Sequence, residues 1–299
     1  MVTLSKISEA SGFSVPVVSR VLSANPHKGA RVAASTRAHI LAVASRLNYR
    51  PNRSAEFLRR GRSPIIGCFL PSTIDSLLAR LIKGISEEAR INNFPLAFYY
   101  ESNKASYSDF IAQSSQSRNC GIITYPTFKL NPELEELISD YTDKGGNIVL
   151  IEAANQWQWK ECTSVSVDNY YGGQLAAKHL LADKKLEHFF TQKYSHISER
   201  VSGFTETLQK KNKDVTVAKN FQELVSLLKA HKNFPAGVFV PRGPDAVRLL
   251  CILEREKIDI PEQIKLIGYD NLNLMADTVP ALTCIEQPFE EIGKLAIKK

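Results

Sequence analysis

Arginine and lysine side chains are concentrated at the start of the chain. Residues 1–62 hold eleven Lys or Arg and only two acidic residues, Glu9 and Glu56, which leaves 27 basic and 29 acidic residues for the rest. The net charge of +7 is therefore a basic segment joined to a nearly neutral body. Clustered cations bind polyanions, and arginine can pair with a guanine edge through two hydrogen bonds. A solvated basic face without a partner is the alternative.

Motifs for catalysis and cofactor binding do not appear in the sequence. There is no Gly-x-Gly-x-x-Gly opening a helix after a strand, no Gly-x-x-x-x-Gly-Lys-Ser/Thr loop and no Gly-x-Ser-x-Gly elbow. The six histidines are scattered, and the five cysteines include no Cys-x-x-Cys pair. We therefore expect no enzyme activity, no cofactor and no metal. Without a signal-peptide core or a run of about 18 apolar residues, the protein is expected in the cytoplasm.

The first residues show the apolar spacing of short helices. Leu4, Ile7 and Ala10 mark the inner face of one helix, and Gly12 is expected to end it in a left-handed turn. A second helix follows directly, with Ser14 as its expected cap. Two helices joined by a tight glycine turn form a helix-turn-helix unit.

A third helix is predicted after this pair. Ser35 or Thr36 is expected to cap it. Its apolar stripe, with the spacing of one helical face, consists of Ile40, Val43, Ala44 and Leu47. Residues 1–47 are therefore predicted to be a DNA-binding headpiece, and the short, basic stretch 48–62 a hinge that becomes helical on binding.

Residues 63–299 alternate short apolar runs with longer amphipathic ones, as repeated βαβ units do. So many strands in one body predict two lobes of parallel sheet, with a ligand cleft at the carboxyl ends of the strands. The strand-like runs are Ile65–Leu70, Leu96–Tyr100, Gly121–Tyr125, Ile148–Ile151, His188–Thr191, Ala236–Val240, Ile264–Tyr269 and Leu282–Ile285.

Several of these segments together resemble the lactose/galactose repressor family. The most specific are Val18-Ser-Arg-Val-Leu and Leu47-Asn-Tyr-Arg-Pro-Asn in the headpiece, followed by Val167-Asp-Asn-Tyr-Tyr-Gly-Gly and Leu266-Ile-Gly-Tyr-Asp-Asn in the body. The resemblance covers essentially the whole chain. It implies an all-α helix-turn-helix headpiece plus an α/β, two-lobed, periplasmic-binding-protein-like sensor domain with Rossmann-like parallel sheets.

The resemblance implies that the second helix enters the major groove of DNA, with Val15, Pro16 and Arg20 facing base edges. Arg20 could pair with guanine, a contact worth about 1–3 kcal/mol of discrimination. A plain phosphate contact is the alternative for Arg20. The residues expected to contact phosphates without reading sequence are Thr3, Ser14, Ser19 and Asn25.

In the hinge, the resemblance implies minor-groove contacts. Leu58 matches the position of a leucine that wedges into a central base step, and Arg59 matches its neighbour. Asn52 and Ala55 are expected in the same minor-groove surface. The alternative is that Leu58 packs on the body and that the hinge is only a spacer.

In the body, the resemblance implies an effector site between the lobes. Arg200 and Asp270 match the family's effector-contacting Arg and Asp, although a mutual salt bridge is an alternative for this pair. Glu152 and Asp75 are further candidates at strand ends. The expected effector is a sugar, a sugar derivative or another small metabolite.

The sequence departs from the family in two places. Pro241-Arg242-Gly243 stands where many members carry Asn-Asp, so a fixed cation replaces two acceptors suited to sugar hydroxyls. An anionic effector held by Arg242 becomes plausible, as does loss of effector binding. Family members also usually continue for a few dozen residues beyond Leu295-Ala-Ile, so we expect a body that is short at its carboxyl end.

The resulting hypothesis is a homodimeric transcription factor, a repressor, that binds double-stranded operator DNA of pseudo-palindromic sequence under control of an effector. No membrane association is expected. Two other classes remain open at this stage. A ligand-binding protein of periplasmic type would have a similar body, and an enzyme could use the same α/β architecture.

Overall fold

The computed structural model describes residues 2–22, 32–49, 61, 63–73, 75–152, 162–195 and 197–299. The chain divides into two compact units, Met1–Ser63 and Pro64–Lys299. We call the first unit the headpiece and the second the body. No described helix is both long enough and apolar enough to cross a membrane.

The described part of the headpiece contains helices α1 (Leu4–Ser11), α2 (Val15–Val21) and α3 (Ala34–Arg46). They pack around six buried side chains: Ile7, Val18, Val21, Ile40, Val43 and Ala44. Fully burying an aliphatic side chain of this kind contributes about 1.5–3 kcal/mol, so this small cluster holds the three helices together.

Of the three predictions for the ends of the headpiece helices, the structure agrees with one and differs from two. Gly12 has φ +73° and its N–H donates to the Ser8 carbonyl, which confirms the left-handed end of α1. Ser14 occupies the cap position of α2, but its side chain makes no capping hydrogen bond. The prediction that Ser35 or Thr36 caps α3 is wrong, because α3 begins at Ala34 and its cap residue is Ala33.

The first lobe of the body is built on a five-stranded sheet of order β2-β1-β3-β4-β5. Its register shows parallel pairing of β1 with β2, of β3 with β4 and of β4 with β5. The strands are β1 (Ser63–Leu70), β2 (Leu96–Tyr100), β3 (Asn119–Thr124), β4 (Asn147–Ile151) and β5 (Thr163–Val165). The helices between them are α4 (Ser76–Ile91), α5 (Lys104–Gln116) and α6 (Pro132–Asp143).

The second lobe is built on a five-stranded sheet of order β10-β9-β8-β6-β7, in which all four neighbouring pairs are parallel. Its strands are β6 (His188–Gln192), β7 (Val215–Ala218), β8 (Ala236–Phe239), β9 (Ile264–Asp270) and β10 (Thr283–Glu286). Its helices are α7 (Asn169–Leu181), α8 (Ser198–Gln209), α9 (Phe221–Ala230), α10 (Gly243–Arg255) and the short α11 (Asn273–Ala276).

The last described helix, α12 (Phe289–Lys298), returns to the first lobe and packs on α4. The two helices approach closely: a Cβ added to Gly84 would lie 1.9 Å from the Glu290 carbonyl oxygen. Glycine is therefore required at this crossing. The chain thus passes between the lobes at residues 166–168 and again at residues 287–288, and we call these two stretches the crossing segments.

The fold class predicted from the sequence is confirmed: three helices of a headpiece precede two parallel α/β sheets. The eight strand-like runs all correspond to strands, with ends that agree or differ by at most two residues. Two strands were not predicted, β5 and β7. Both are short and lie at sheet edges.

Candidate functional site

Helix α2 directs its predicted base-reading residues to solvent. Val18 and Val21 are buried against the other headpiece helices, whereas Pro16 and Arg20 are exposed and Val15 is 39% exposed. Pro16 and Arg20 are four residues apart and therefore lie on the same face of the helix. Within the described residues no carboxylate pairs with Arg20.

The predicted phosphate contacts have different surroundings. Thr3 caps α1, its hydroxyl accepting from the Lys6 N–H at 3.4 Å, and both residues are exposed. Ser14 is exposed and its side chain makes no capping bond, whereas Ser19 is partly buried. The predictions for Asn25 and for the hinge lie outside the described residues. The hinge residues concerned are Asn52, Ala55, Leu58 and Arg59.

In the body, Arg200 and Asp270 form a salt bridge, Nη1 to Oδ1 3.2 Å, with side chains only 7% and 10% exposed. Arg200 also donates to the Asn169 side-chain oxygen at 2.8 Å, the Pro241 carbonyl at 2.8 Å and the Gln287 side-chain oxygen at 3.1 Å. Four acceptors therefore hold one buried guanidinium, the condition under which a buried charge is tolerated. The mutual salt bridge left open by the sequence is present.

Asp270 is equally well satisfied. Its Oδ2 accepts from the Gly243 N–H at 2.8 Å, at the start of α10, and its Oδ1 accepts from the Gln287 amide at 2.6 Å. Asp270 has φ +83° and the next residue, Asn271, has φ +49°. Two consecutive non-glycine residues in the left-handed region persist only where surrounding contacts hold them.

Gln287 is a member of this network that the sequence analysis missed. It is 3% exposed and lies on the second crossing segment, between β10 and α12. Asn169, the other amide partner of Arg200, is the first residue of α7 and follows the first crossing segment. The network therefore ties both connections between the lobes to Arg200. The available signal for Gln287 was that a polar residue follows the last strand directly, and this signal does not identify Arg200 as its partner.

Two tyrosines border the network. The guanidinium of Arg200 stacks on the ring of Tyr269, with its central carbon 3.7 Å from the ring centroid. The Tyr269 hydroxyl is buried and has no hydrogen-bond partner among the described residues. Burial raises the pKa of Tyr269 to about 12. Burial also raises the pKa of Tyr125, which follows β3, and the Glu152 carboxylate adds to that effect.

Glu152 follows β4 with φ +54°. One of its carboxylate oxygens accepts from the Val167 N–H at 2.6 Å, which fixes the first crossing segment to the end of β4. Burial raises the pKa of Glu152, and this bond and the charge of Arg200 partly offset that effect. Since Arg200 belongs to the other lobe, the two lobes are close enough here to interact electrostatically.

The remaining two candidates are more exposed. Asp75 caps α4, and its Oδ1 accepts from the Leu78 N–H at 2.9 Å. Arg242 is 49% exposed and its guanidinium lies 3.4 Å from the Asp245 carboxylate, in the first turn of α10. The Asp245 carboxylate therefore partly neutralises the charge of Arg242 within its own lobe, and it also accepts from the Tyr194 hydroxyl.

Four of the five predicted effector residues influence the pKa of one buried phenol, Tyr125. The charges that act on the Tyr125 hydroxyl are those of Glu152, Asp75, Arg200 and Asp270. Arg242 acts on Tyr194 instead and is not part of this group. Among the described residues, no three or more His, Cys, Asp or Glu side chains are placed to hold a metal ion.

Two parallel sheets joined by crossing segments, with polar side chains gathered where strands of both lobes end, define a periplasmic-binding-protein-like domain. The family model for the periplasmic binding protein-like domain matches residues 170–299.

Proteins that match nearly the whole chain include two repressors and one solved structure. The ribose operon repressor of Bacillus subtilis (strain 168) is 27% identical over 309 aligned positions, which cover 100% of this chain and 90% of that protein. The transcriptional repressor PurR of Vibrio parahaemolyticus is 24% identical, with the same coverage. A crystal structure of the lac repressor dimer bound to operator and the anti-inducer ONPF is similar in fold, with a TM-score of 0.69, 20% identity and coverage of 99% of this chain and 91% of that chain.

The resemblance to the LacI/GalR family of transcriptional regulators seen in the sequence is confirmed by these matches. Its relatives are DNA-binding transcriptional repressors and not enzymes.

Proposed function

We propose that the protein is a repressor that binds a pseudo-palindromic operator as a homodimer in the cytoplasm. A small molecule bound in the body either lowers or raises its affinity for the operator. The observation that carries the proposal is the outward face of α2, where Pro16 and Arg20 lie exposed on a three-helix unit. This unit lies within the segment that holds nine net positive charges.

The proposed division of labour in the headpiece follows from side-chain chemistry. Arg20 donates two parallel hydrogen bonds to a guanine, while Val15 and Pro16 offer apolar surface to a thymine methyl group. Thr3 and Ser14 orient the helix through phosphate oxygens and carry no sequence information. Their exposed side chains support this role.

The proposed effector site lies around Tyr125, between the carboxyl ends of the strands in both lobes. One Glu152 carboxylate oxygen accepts from the Val167 N–H, and the other, which has no hydrogen-bond partner among the described residues, is proposed to accept from a ligand hydroxyl. Arg200 and Asp270 are bonded to each other, so a ligand either displaces this pair or binds beside it. A hydroxyl-rich metabolite suits these acceptors, and one relative is named for the operon of such a sugar, ribose.

Dimerisation is proposed because two headpieces related by a twofold axis read two half-sites of a palindrome. The dimer named in the lac repressor structure supports this arrangement. Light scattering of the purified chain should then give twice the mass of one chain, and a monomer at operator-binding concentrations would contradict it.

The proposal is tested by selecting fragments of host genomic DNA with the purified protein. A repressor of this kind enriches a palindromic sequence, and the genes beside it identify candidate effectors for titration. Enrichment that follows fragment length alone, with no shared sequence, would contradict sequence-specific binding. Selection at two salt concentrations separates specific binding from purely electrostatic binding. Purely electrostatic binding depends on counterion release and therefore weakens steeply as the salt concentration rises.

A further inference from the structure

Arg80, on α4 of the first lobe, makes its side-chain hydrogen bonds within the described part of the chain to residues of the second lobe. Its Nη1 lies 3.2 Å from the Glu286 carboxylate at the end of β10. Its Nη2 donates to the Asn271 carbonyl at 2.9 Å and to the Asn273 side-chain oxygen at 3.4 Å. One planar guanidinium therefore bridges three acceptors across the boundary between the lobes, which an ammonium group does less well.

A second residue of α4, Leu77, also contacts both lobes. Leu77 packs against the hydrophobic cluster of the first lobe and also against that of the second. It lies one turn before Arg80 and therefore on the same helix face. The polar bridge thus stands beside an apolar contact between the two lobes.

The acceptor of the shortest Arg80 bond is Asn271, the second of the two left-handed residues. The first, Asp270, holds Arg200 and the Gly243 N–H. Asn271 is held further by Cys284, whose thiol lies 3.3 Å from the Asn271 side-chain oxygen. The corner after β9, Asp270–Asn271, is therefore held by contacts from both lobes. Asp270 bonds to the second lobe, and Asn271 accepts from Arg80 of the first lobe.

We propose that Arg80 is an interlobe latch, which holds the two lobes at one angle by bridging Glu286 and the Asp270–Asn271 corner. The latch does not depend on the proposed DNA binding. Where that function holds, a ligand that displaces Arg200 from Asp270 would disturb the corner and so loosen the grip of Arg80. The latch would then connect the effector site to the lobe that follows the hinge.

Lys83 provides a matched control on the same helix, one turn beyond Arg80. Its ammonium group lies 2.8 Å from the Glu290 carboxylate, which belongs to α12 and so to the first lobe. Both residues are cations that pair with a glutamate, but only Arg80 pairs across the boundary. R80M and K83M therefore remove equal charge and differ in whether the lobes lose a connection.

The test is amide hydrogen exchange, followed by mass spectrometry, on the full chain without DNA or ligand. In R80M, peptides covering residues 266–276 and 284–289 should exchange at least about fivefold faster than in the wild type, because local opening depends on the contacts that hold a segment. K83M should leave both peptides unchanged. E286Q removes only the ion pair, so its effect should lie between the two.

Exchange in R80M equal to that of the wild type would overturn the latch, as would equal acceleration in K83M. R80K preserves the charge and guards against a general folding defect. It should accelerate exchange in the same two peptides while leaving the thermal unfolding midpoint close to that of the wild type. Because the measurement uses no DNA, failure of the latch and failure of the proposed function give different results.

Discussion

Replacement of Arg200 by methionine is expected to destabilise the body strongly. The substitution keeps an apolar stem of similar length but removes the donors to Asn169, Pro241, Asp270 and Gln287. Asp270 would remain buried with a negative charge and only two of its donors. Removing one partner of a buried ion pair costs about 3–5 kcal/mol, and we expect a loss of that size in the free energy of unfolding.

The assay is urea unfolding of R200M followed by far-ultraviolet circular dichroism. Lys229 offers a matched control, because its ammonium group lies 2.6 Å from the Glu256 carboxylate and both side chains are more than two-fifths exposed. An exposed pair contributes about 0–1 kcal/mol, so K229M should change stability by no more than that.

The double variant R200M/D270N tests whether the loss of stability comes from the uncompensated charge of Asp270. With Asp270 replaced by a neutral amide, the uncompensated charge is gone, so the double variant should be more stable than R200M alone. The reasoning is refuted if R200M loses no more stability than K229M, or if the two substitutions add without any coupling.

Two further predictions concern packing and pH. G84A should lower the free energy of unfolding by about 1–3 kcal/mol, because the new methyl group would overlap the Glu290 carbonyl. Thermal unfolding checks this, with G121A as the control variant, because its methyl group would meet nothing closer than 3.7 Å. Burial raises the pKa of Glu152, so the folded state keeps its proton at pH values where the unfolded state has lost it. Stability should therefore fall as pH rises from the ordinary glutamate pKa through the raised one, and E152Q should lack this component in urea unfolding measured across that window.

The sequence predicted the architecture because apolar periodicity reports which face of an element is buried. The β2 run, Leu96–Tyr100, was predicted to the residue. The two missed strands, β5 and β7, are edge strands of three and four residues, whose exposed positions carry Thr and Ser instead of an apolar run. Short edges therefore depend on tertiary pairing that no local pattern reveals.

The network around Arg200 shows what sequence could not provide. Family resemblance drew attention to Arg200 and Asp270, but whether they bind a ligand or each other depends on distances across 70 residues of chain. Gln287 is 87 residues from Arg200, and nothing in its neighbours predicts the contact. Arg80 lies in an amphipathic helix whose polar face looks like ordinary solvated surface, and only the position of the second lobe distinguishes it from Lys83.

The ends of α1 and α3 differ in how well the sequence predicted them. Gly12 was predicted correctly because a left-handed turn strongly favours glycine. The start of α3 was not, since Ser35 and Thr36 are both good cap residues and yet lie inside the first turn, after Ala33. Cap preference is worth about 1 kcal/mol, so packing of the buried helix face can shift a helix start by two residues.

The most direct test of the central claim compares R20M with the wild type on the selected operator and on an unrelated duplex of equal length. R90M, which removes an exposed arginine from the body, serves as the control. The account predicts that R20M lowers the ratio of operator affinity to unrelated-duplex affinity by about tenfold, in line with 1–3 kcal/mol for a base contact. R90M should keep the wild-type ratio. Equal affinity of the wild-type protein for both duplexes, or a ratio that R20M leaves unchanged, would contradict sequence reading by this helix.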